Sequence, residues 1–190
     1  MKYPPITLKL LKSKDVWVYQ EDLIKRYFGD KPIPLNKRTF AKLSHEFDID
    51  WAAIRLLDST DLAEYWKGHS TSKVEHQKVR DAAWWKYQKA IGPASDEYDK
   101  VCDTAGAKRD KVIAHAGSEY RKVGHRGMSA YEKGLDAAWA EFDNVCDATY
   151  TEYLKVIDTA RAEFDKVTDT ALTEREKVDA LLFLKLYTAA

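Results

Sequence analysis

The sequence predicts a mainly α-helical protein: a small, mostly helical head over residues 1–70, then long helices built on a repeat over residues 71–190. Three observations predict it. An eleven-residue pattern recurs without insertion from His76 to Lys185. Its apolar positions step by three and four residues, as one face of a helix requires, and strand-like alternation is absent. Charged residues make up 33% of the chain against an ordinary apolar share of 45%, the balance of exposed, charge-laced helices.

In the head, Ile6, Leu8 and Leu10 alternate and read as a short strand. Asp15 to Phe28 reads as a helix closed by Gly29, and Asn36 as the cap of a helix through Phe47. Asp50 opens a helix through Leu57, and Ser59 caps another short one carrying Leu62, Tyr65 and Trp66. Pro4, Pro5, Pro32 and Pro34 punctuate this region.

The repeat begins its units at His76, Tyr87, Tyr98, Arg109, Tyr120, Tyr131, Phe142, Tyr153, Phe164 and Arg175. Position three is lysine except at Asn144, and position four is valine except at Ala90 and Gly134. Position eight is small in all units but the last: Ala83, Ala94, Ala105, Ala116, Gly127, Ala138, Thr149, Ala160 and Ala171 precede Leu182. Positions one, four, five and eight form a single apolar stripe. Eleven residues over three turns is about 3.67 per turn, so the stripe is nearly straight or drifts toward a right-handed supercoil. Glutamate at position eleven and aspartate at position six flank the lysines as a solvated face.

Gly92 and Pro93 predict a first break, because proline inside a helix costs about 3 kcal/mol. Six of the eight glycines fall between Gly92 and Gly134, and residues 116–134 are the predicted turn. No glycine or proline follows Gly134, so Ser129 to Leu186 is expected as one helix on the order of 85 Å long. A stripe of Tyr, Phe and Val must be covered, either by a hairpin or bundle folded at the glycine cluster or by association of chains as a right-handed coiled coil. Cys102 and Cys146 share position five. On one unbroken helix they would stand about 66 Å apart and could not bridge within a chain; in a parallel, in-register dimer each would face its own twin, whereas a bridge within one chain would show that the chain turns between them.

Thirty-one basic and 31 acidic residues give a net charge of +0, which argues against nucleic acid as a partner. No apolar run reaches the eighteen residues of a membrane span, so no membrane partner is expected. The first residues lack an apolar core with a cleavage site, and two cysteines make no disulfide framework; a reducing cytoplasm is the expected location.

The segments ITLKLLKSKD, RYFGD, DIDWAAIRLLDSTDLAEYWK and AEFDKVTDTALTE carry a resemblance. Together they resemble a group of bacteriophage- and prophage-encoded proteins with an N-terminal head and tandem A-x-A-E-Y-x-K-V units. The head of that group has a D-x-D-W-A-A motif, matched here by Asp48, Asp50, Trp51, Ala52 and Ala53. The resemblance covers essentially the whole chain. It implies a phage or mobile-element origin and transfers no activity, cofactor or catalytic residue.

Chemical motifs are sparse. No GxxxxGK[ST], GxGxxG, CxxC or HExxH occurs, so no cofactor or metal is expected. His45, His69, His76, His115 and His125 read as surface residues. Leu43 to Leu57 resembles a helix-turn-helix core, but Asp50 and Asp58 would repel phosphate and only Arg55 would attract it. Trp84, Trp85, Trp139 and Tyr150 lie at positions nine and ten, off the main stripe; they read either as intramolecular packing that widens the apolar face or as the candidate partner-binding residues. Trp17, Tyr19, Trp51 and Trp66 decorate the head. The expectation is a non-catalytic interaction protein that binds a host protein or complex, inhibition of a bacterial defence system being one purpose. A structural coiled coil that self-associates is the alternative, and a helix-turn-helix regulator the third reading.

Overall fold

The computed structural model describes residues 3–189. Six α-helices follow one another: α1 (Leu8–Lys12), α2 (Val18–Phe28), α3 (Lys37–Leu43), α4 (Ile49–Leu56), α5 (Ser59–Val123) and α6 (Met128–Thr188). A 3-10 turn, Gly124–Gly127, joins the last two. No strand occurs among the described residues, and the mainly α expectation holds. Two compact units divide the chain: Met1–Ala82 with Lys166–Ala190, and Ala83–Asp165.

The first unit is built on short, individually capped helices. The expected strand is instead α1, whose first turn is capped by Thr7 Oγ1 accepting from Leu10 N at 3.1 Å. Leu8 and Leu11 are then three apart on one buried side. Ile6 stays extended and accepts one bond from Ile33 N at 2.8 Å, with Pro4 and Pro5 before it lacking the donors of a ladder. Helix α2 starts at Val18, later than Asp15, because Asp15 holds a left-handed φ of 60°. Asn36 caps α3 by accepting from Thr39 N at 2.9 Å, but that helix ends at Leu43 and the chain turns through Phe47. Asp48, not Asp50, caps α4, accepting from Trp51 N at 2.8 Å. The last head helix is not short. Asp58 Oδ1 accepts from Thr60 N and Asp61 N, and α5 then runs on to Val123.

The head does not close on itself at residue 70. Its core of Leu11, Ile24, Phe40, Leu43, Ala52, Ala53 and Tyr65 is completed by Ala180, Phe183 and Tyr187 from the end of α6. Phe183 stacks on Phe40 at 5.7 Å and on Tyr187 at 5.4 Å; Tyr187 stacks on Tyr3 at 4.8 Å. Each large apolar side chain so buried contributes about 1.5–3 kcal/mol, and short helices could not supply that area alone. The boundary expected at residue 70 therefore falls instead within two helices, at Ala82 and Lys166.

The second unit is an antiparallel helical hairpin. Gly124, at φ 66°, releases the chain from α5, a conformation an L side chain takes at a cost. The break expected at Gly92–Pro93 is absent: α5 is continuous there, one missing donor being tolerated among intact neighbouring bonds. The repeat keeps its phase through the turn, so like positions meet. Tyr87 faces Phe164, Tyr98 stacks on Tyr153 at 5.9 Å, Arg109 lies 4.5 Å over Phe142, and Tyr120 faces Tyr131 at 5.4 Å. Position-eight alanines 83, 138 and 160 are buried, and the small residue at that position lets the two backbones approach.

Candidate protein-binding face

All four residues singled out in the repeat lie in the hairpin unit, and all four are exposed. Trp85 is 73% exposed, Trp84 48%, Trp139 47% and Tyr150 45%. Three of them are nevertheless held in place by the partner arm or by their own. Trp84 stacks on Tyr87 at 5.3 Å and meets the edge of Phe164 at 6.0 Å. Trp139 receives the Arg109 guanidinium 4.3 Å above its ring and packs edge-on to Phe142. Tyr150 contacts Tyr98 at 5.7 Å and Tyr153 at 6.2 Å. These rings are both packed and presented, a combination that costs little side-chain entropy when a partner covers their free half.

The reason lies in the repeat. Position nine sits beside position five on the helix, at the edge of the seam. Within the hairpin it includes Trp84, Ser95, Gly106 and Gly117 on α5 and Met128, Trp139 and Tyr150 on α6; the glycines leave room for the position-one rings of the other arm, while Trp139 and Tyr150 lie against Arg109 and Tyr98. A side-chain carbon at Gly106 would stand 3.7 Å from Phe142, and one at Gly117 3.8 Å from Tyr131. The opposite edge is also apolar. There Val101, Val112, Val145, Ala105 and Ala138 line a groove of about 270 Å³, crossed by the exposed Lys108–Glu141 ion pair. Such an exposed pair contributes little to stability.

A second cluster, in the first unit, escaped the sequence reading. His69, expected at the surface, is buried beside Asp179. Its Nδ1 lies 3.1 Å from Asp179 Oδ2 and 3.4 Å from Asp50 Oδ1. Ser72 Oγ donates to Asp179 Oδ1 at 2.6 Å, and Tyr65 donates to Asp50 at 2.6 Å. Arg175 Nε approaches Asp179 at 3.5 Å, close enough for attraction but outside hydrogen-bond geometry. Burial raises the Asp179 carboxyl, against the lowering pull of Ser72, His69 and Arg175. Burial first, then the bond to Asp50, raises the Tyr65 hydroxyl. The serine hydroxyl addresses Asp179 and the His69 backbone carbonyl rather than the His69 ring, so the trio lacks the nucleophile–base contact of acyl-transfer chemistry. It is a polar lock between α4, α5 and α6 in which Asp179, Ser72 and Tyr65 are hydrogen-bonded and Arg175 Nε is not. One signal announced it: Asp179 occupies position five, where Ile91, Ile113 and Ile157 stand in other units.

The D-x-D-W-A-A motif is likewise held in the fold. Asp48 caps α4, Asp50 accepts from Tyr65, Trp51 meets the edge of Phe47 at 6.4 Å, and Ala52 and Ala53 are fully buried. These are folding roles. Helix α4 carries Arg55 as its one cation, and Ile54 beside it is exposed. Among the described residues no three His, Cys, Asp or Glu side chains are grouped to hold a metal ion, and no helix is long and apolar enough to cross a membrane. No known family model, curated protein or solved structure matches this chain.

Proposed function

We propose that this protein is a non-catalytic interaction module that binds another protein through the aromatic edge of its hairpin. The observation that carries the reading is the arrangement of Trp84, Trp139 and Tyr150, each half exposed yet fixed by ring or cation contacts. Tryptophan and tyrosine so placed concentrate interface energy. The sequence resemblance to phage and prophage proteins supplies the partner class: a protein of the bacterial host, with a defence complex as the target to be inhibited. The test is capture from host lysate, followed by titration of the captured protein with the wild type and a Trp139→Ala/Tyr150→Ala variant. A loss of about 2 kcal/mol or more is expected for hot-spot residues, about thirtyfold in Kd, with helix content by circular dichroism unchanged. Equal affinity for the two forms would sink the proposal.

Self-association is the second reading, favoured by a separate observation. In the hairpin, the position-four valines Val112, Val123 and Val156 are exposed, although a lone stripe of valine is ordinarily covered. Light scattering across a concentration series decides it: a monomer at every concentration removes this reading.

A further inference from the structure

We propose that Cys102 and Cys146 form an oxidation site, closing an intramolecular disulfide across the hairpin when a low-molecular-weight disulfide such as oxidised glutathione is present. The register of the two arms places them. Tyr98 is one helical turn before Cys102, Tyr150 is one turn after Cys146, and those two rings stand 5.7 Å apart. In the other direction, Gly106 is one turn after Cys102 and Phe142 one turn before Cys146. A side-chain carbon on Gly106 would reach within 3.7 Å of Phe142. One step further, Arg109 lies 4.3 Å over Trp139. Two cross-arm contacts and one close approach thus bracket the cysteines, each at the same number of residues from Cys102 as from Cys146 along antiparallel helices, which leaves Cys102 and Cys146 opposite each other. Both are free and both are half-buried.

Small residues at position eight and glycine at 106 and 117 leave room for the arms to approach, and a disulfide asks for Cα atoms about 4.4–6.8 Å apart. The Cys146 thiol is pushed up to about 11, first by Cys102 across the seam and then by burial.

The chemistry balances as thiol–disulfide exchange. One cysteine thiolate attacks the glutathione disulfide, forming a mixed disulfide as the first glutathione thiolate leaves. The second cysteine, deprotonated, attacks the protein sulfur of that mixed disulfide, and the second glutathione thiolate leaves. The two thiol protons pass to solvent and to the departing thiolates. The protein is oxidised by two electrons and one glutathione disulfide is reduced to two thiols. The bond would tie the arms together directly beneath Trp139 and Tyr150, yet it holds whether or not those rings bind a partner.

The test is incubation of the full chain in glutathione redox buffer. The expected product is a monomer that has lost two hydrogens by intact mass, alkylates at neither cysteine, and yields a Cys102–Cys146 linked peptide on digestion. Its Tm should rise on the order of 5–10 °C, as closure of a long loop predicts. Cys102→Ser and Cys146→Ser should each stop at a glutathione adduct with no rise. A covalent dimer as the oxidised product, or adducts at both cysteines without an internal link, would overturn the assignment.

Discussion

The Tyr187 hydroxyl donates a hydrogen bond to the Pro4 carbonyl oxygen at 2.6 Å, tying the last turn of α6 to the first described residues of the chain. The ring beneath that bond stacks on Tyr3 and Phe183 and is almost wholly buried. The far end of the chain is therefore part of the head's own core.

Replacing Tyr187 should accordingly unfold the first unit. Tyr187→Ala should cost about 3–5 kcal/mol, the range for removing a large buried ring, and Tyr187→Phe about 1 kcal/mol for the lost hydrogen bond. Urea midpoints give both values. A Tyr187→Ala loss no larger than that of Tyr187→Phe would show that the ring is dispensable.

Alkaline pH should act on the same unit. Burial, and then the neighbouring Tyr3, pushes the Tyr187 hydroxyl up to about 12; burial and the bond to Asp50 also raise Tyr65. The folded state holds these protons more tightly than the unfolded chain does. Their contribution is fully present below about pH 10, the ordinary tyrosine value, and is lost as pH rises toward about 12. Stability measured across that window should fall, and Tyr65→Phe should make the fall shallower. A flat profile would contradict the assignment.

The polar lock invites a paired substitution. Asp179→Ala removes the acceptor of Ser72 and the carboxylate beside the His69 ring and should cost about 1–3 kcal/mol. Asp179→Asn keeps an oxygen for Ser72 and buries no charge, so its loss should be smaller. Equal losses by chemical denaturation would mean that only packing matters at this position.

Glycine substitutions separate the two kinds of glycine in α5 and its turn. An added side-chain carbon at Gly92 meets no atom within 4 Å, so Gly92→Ala should raise stability by about 0.5–1 kcal/mol. Gly124 holds a φ of 66°, and Gly124→Ala should lower stability by about 1–2 kcal/mol. Thermal melts of the two variants should move in opposite directions.

Much of this molecule is legible in its sequence because a repeat states its physics ten times. The stripe of positions one, four, five and eight determined helix, and the glycines from Gly117 to Gly134 determined where the helices turn. The residues that break the pattern mark its particular sites: Arg109 among ring positions lies over Trp139, and Asp179 among isoleucine positions anchors His69. Local capping was readable too, at Asn36 for α3, but Asp48 rather than Asp50 opens α4, since one-residue choices at a helix start turn on backbone geometry that composition does not carry.

What only the tertiary structure decided is which stretches of chain belong together. Nothing in the head's own residues announces that Phe183 and Tyr187, more than a hundred positions away, complete its core. Nor does periodicity reveal that α5 runs unbroken through Pro93. Local propensity is worth a few kcal/mol at most, and burial of apolar area against a distant segment outweighs it. The same holds for Cys102 and Cys146: spacing sets them at one repeat position, and the fold-back about Gly124 sets that position on one arm opposite the same position on the other.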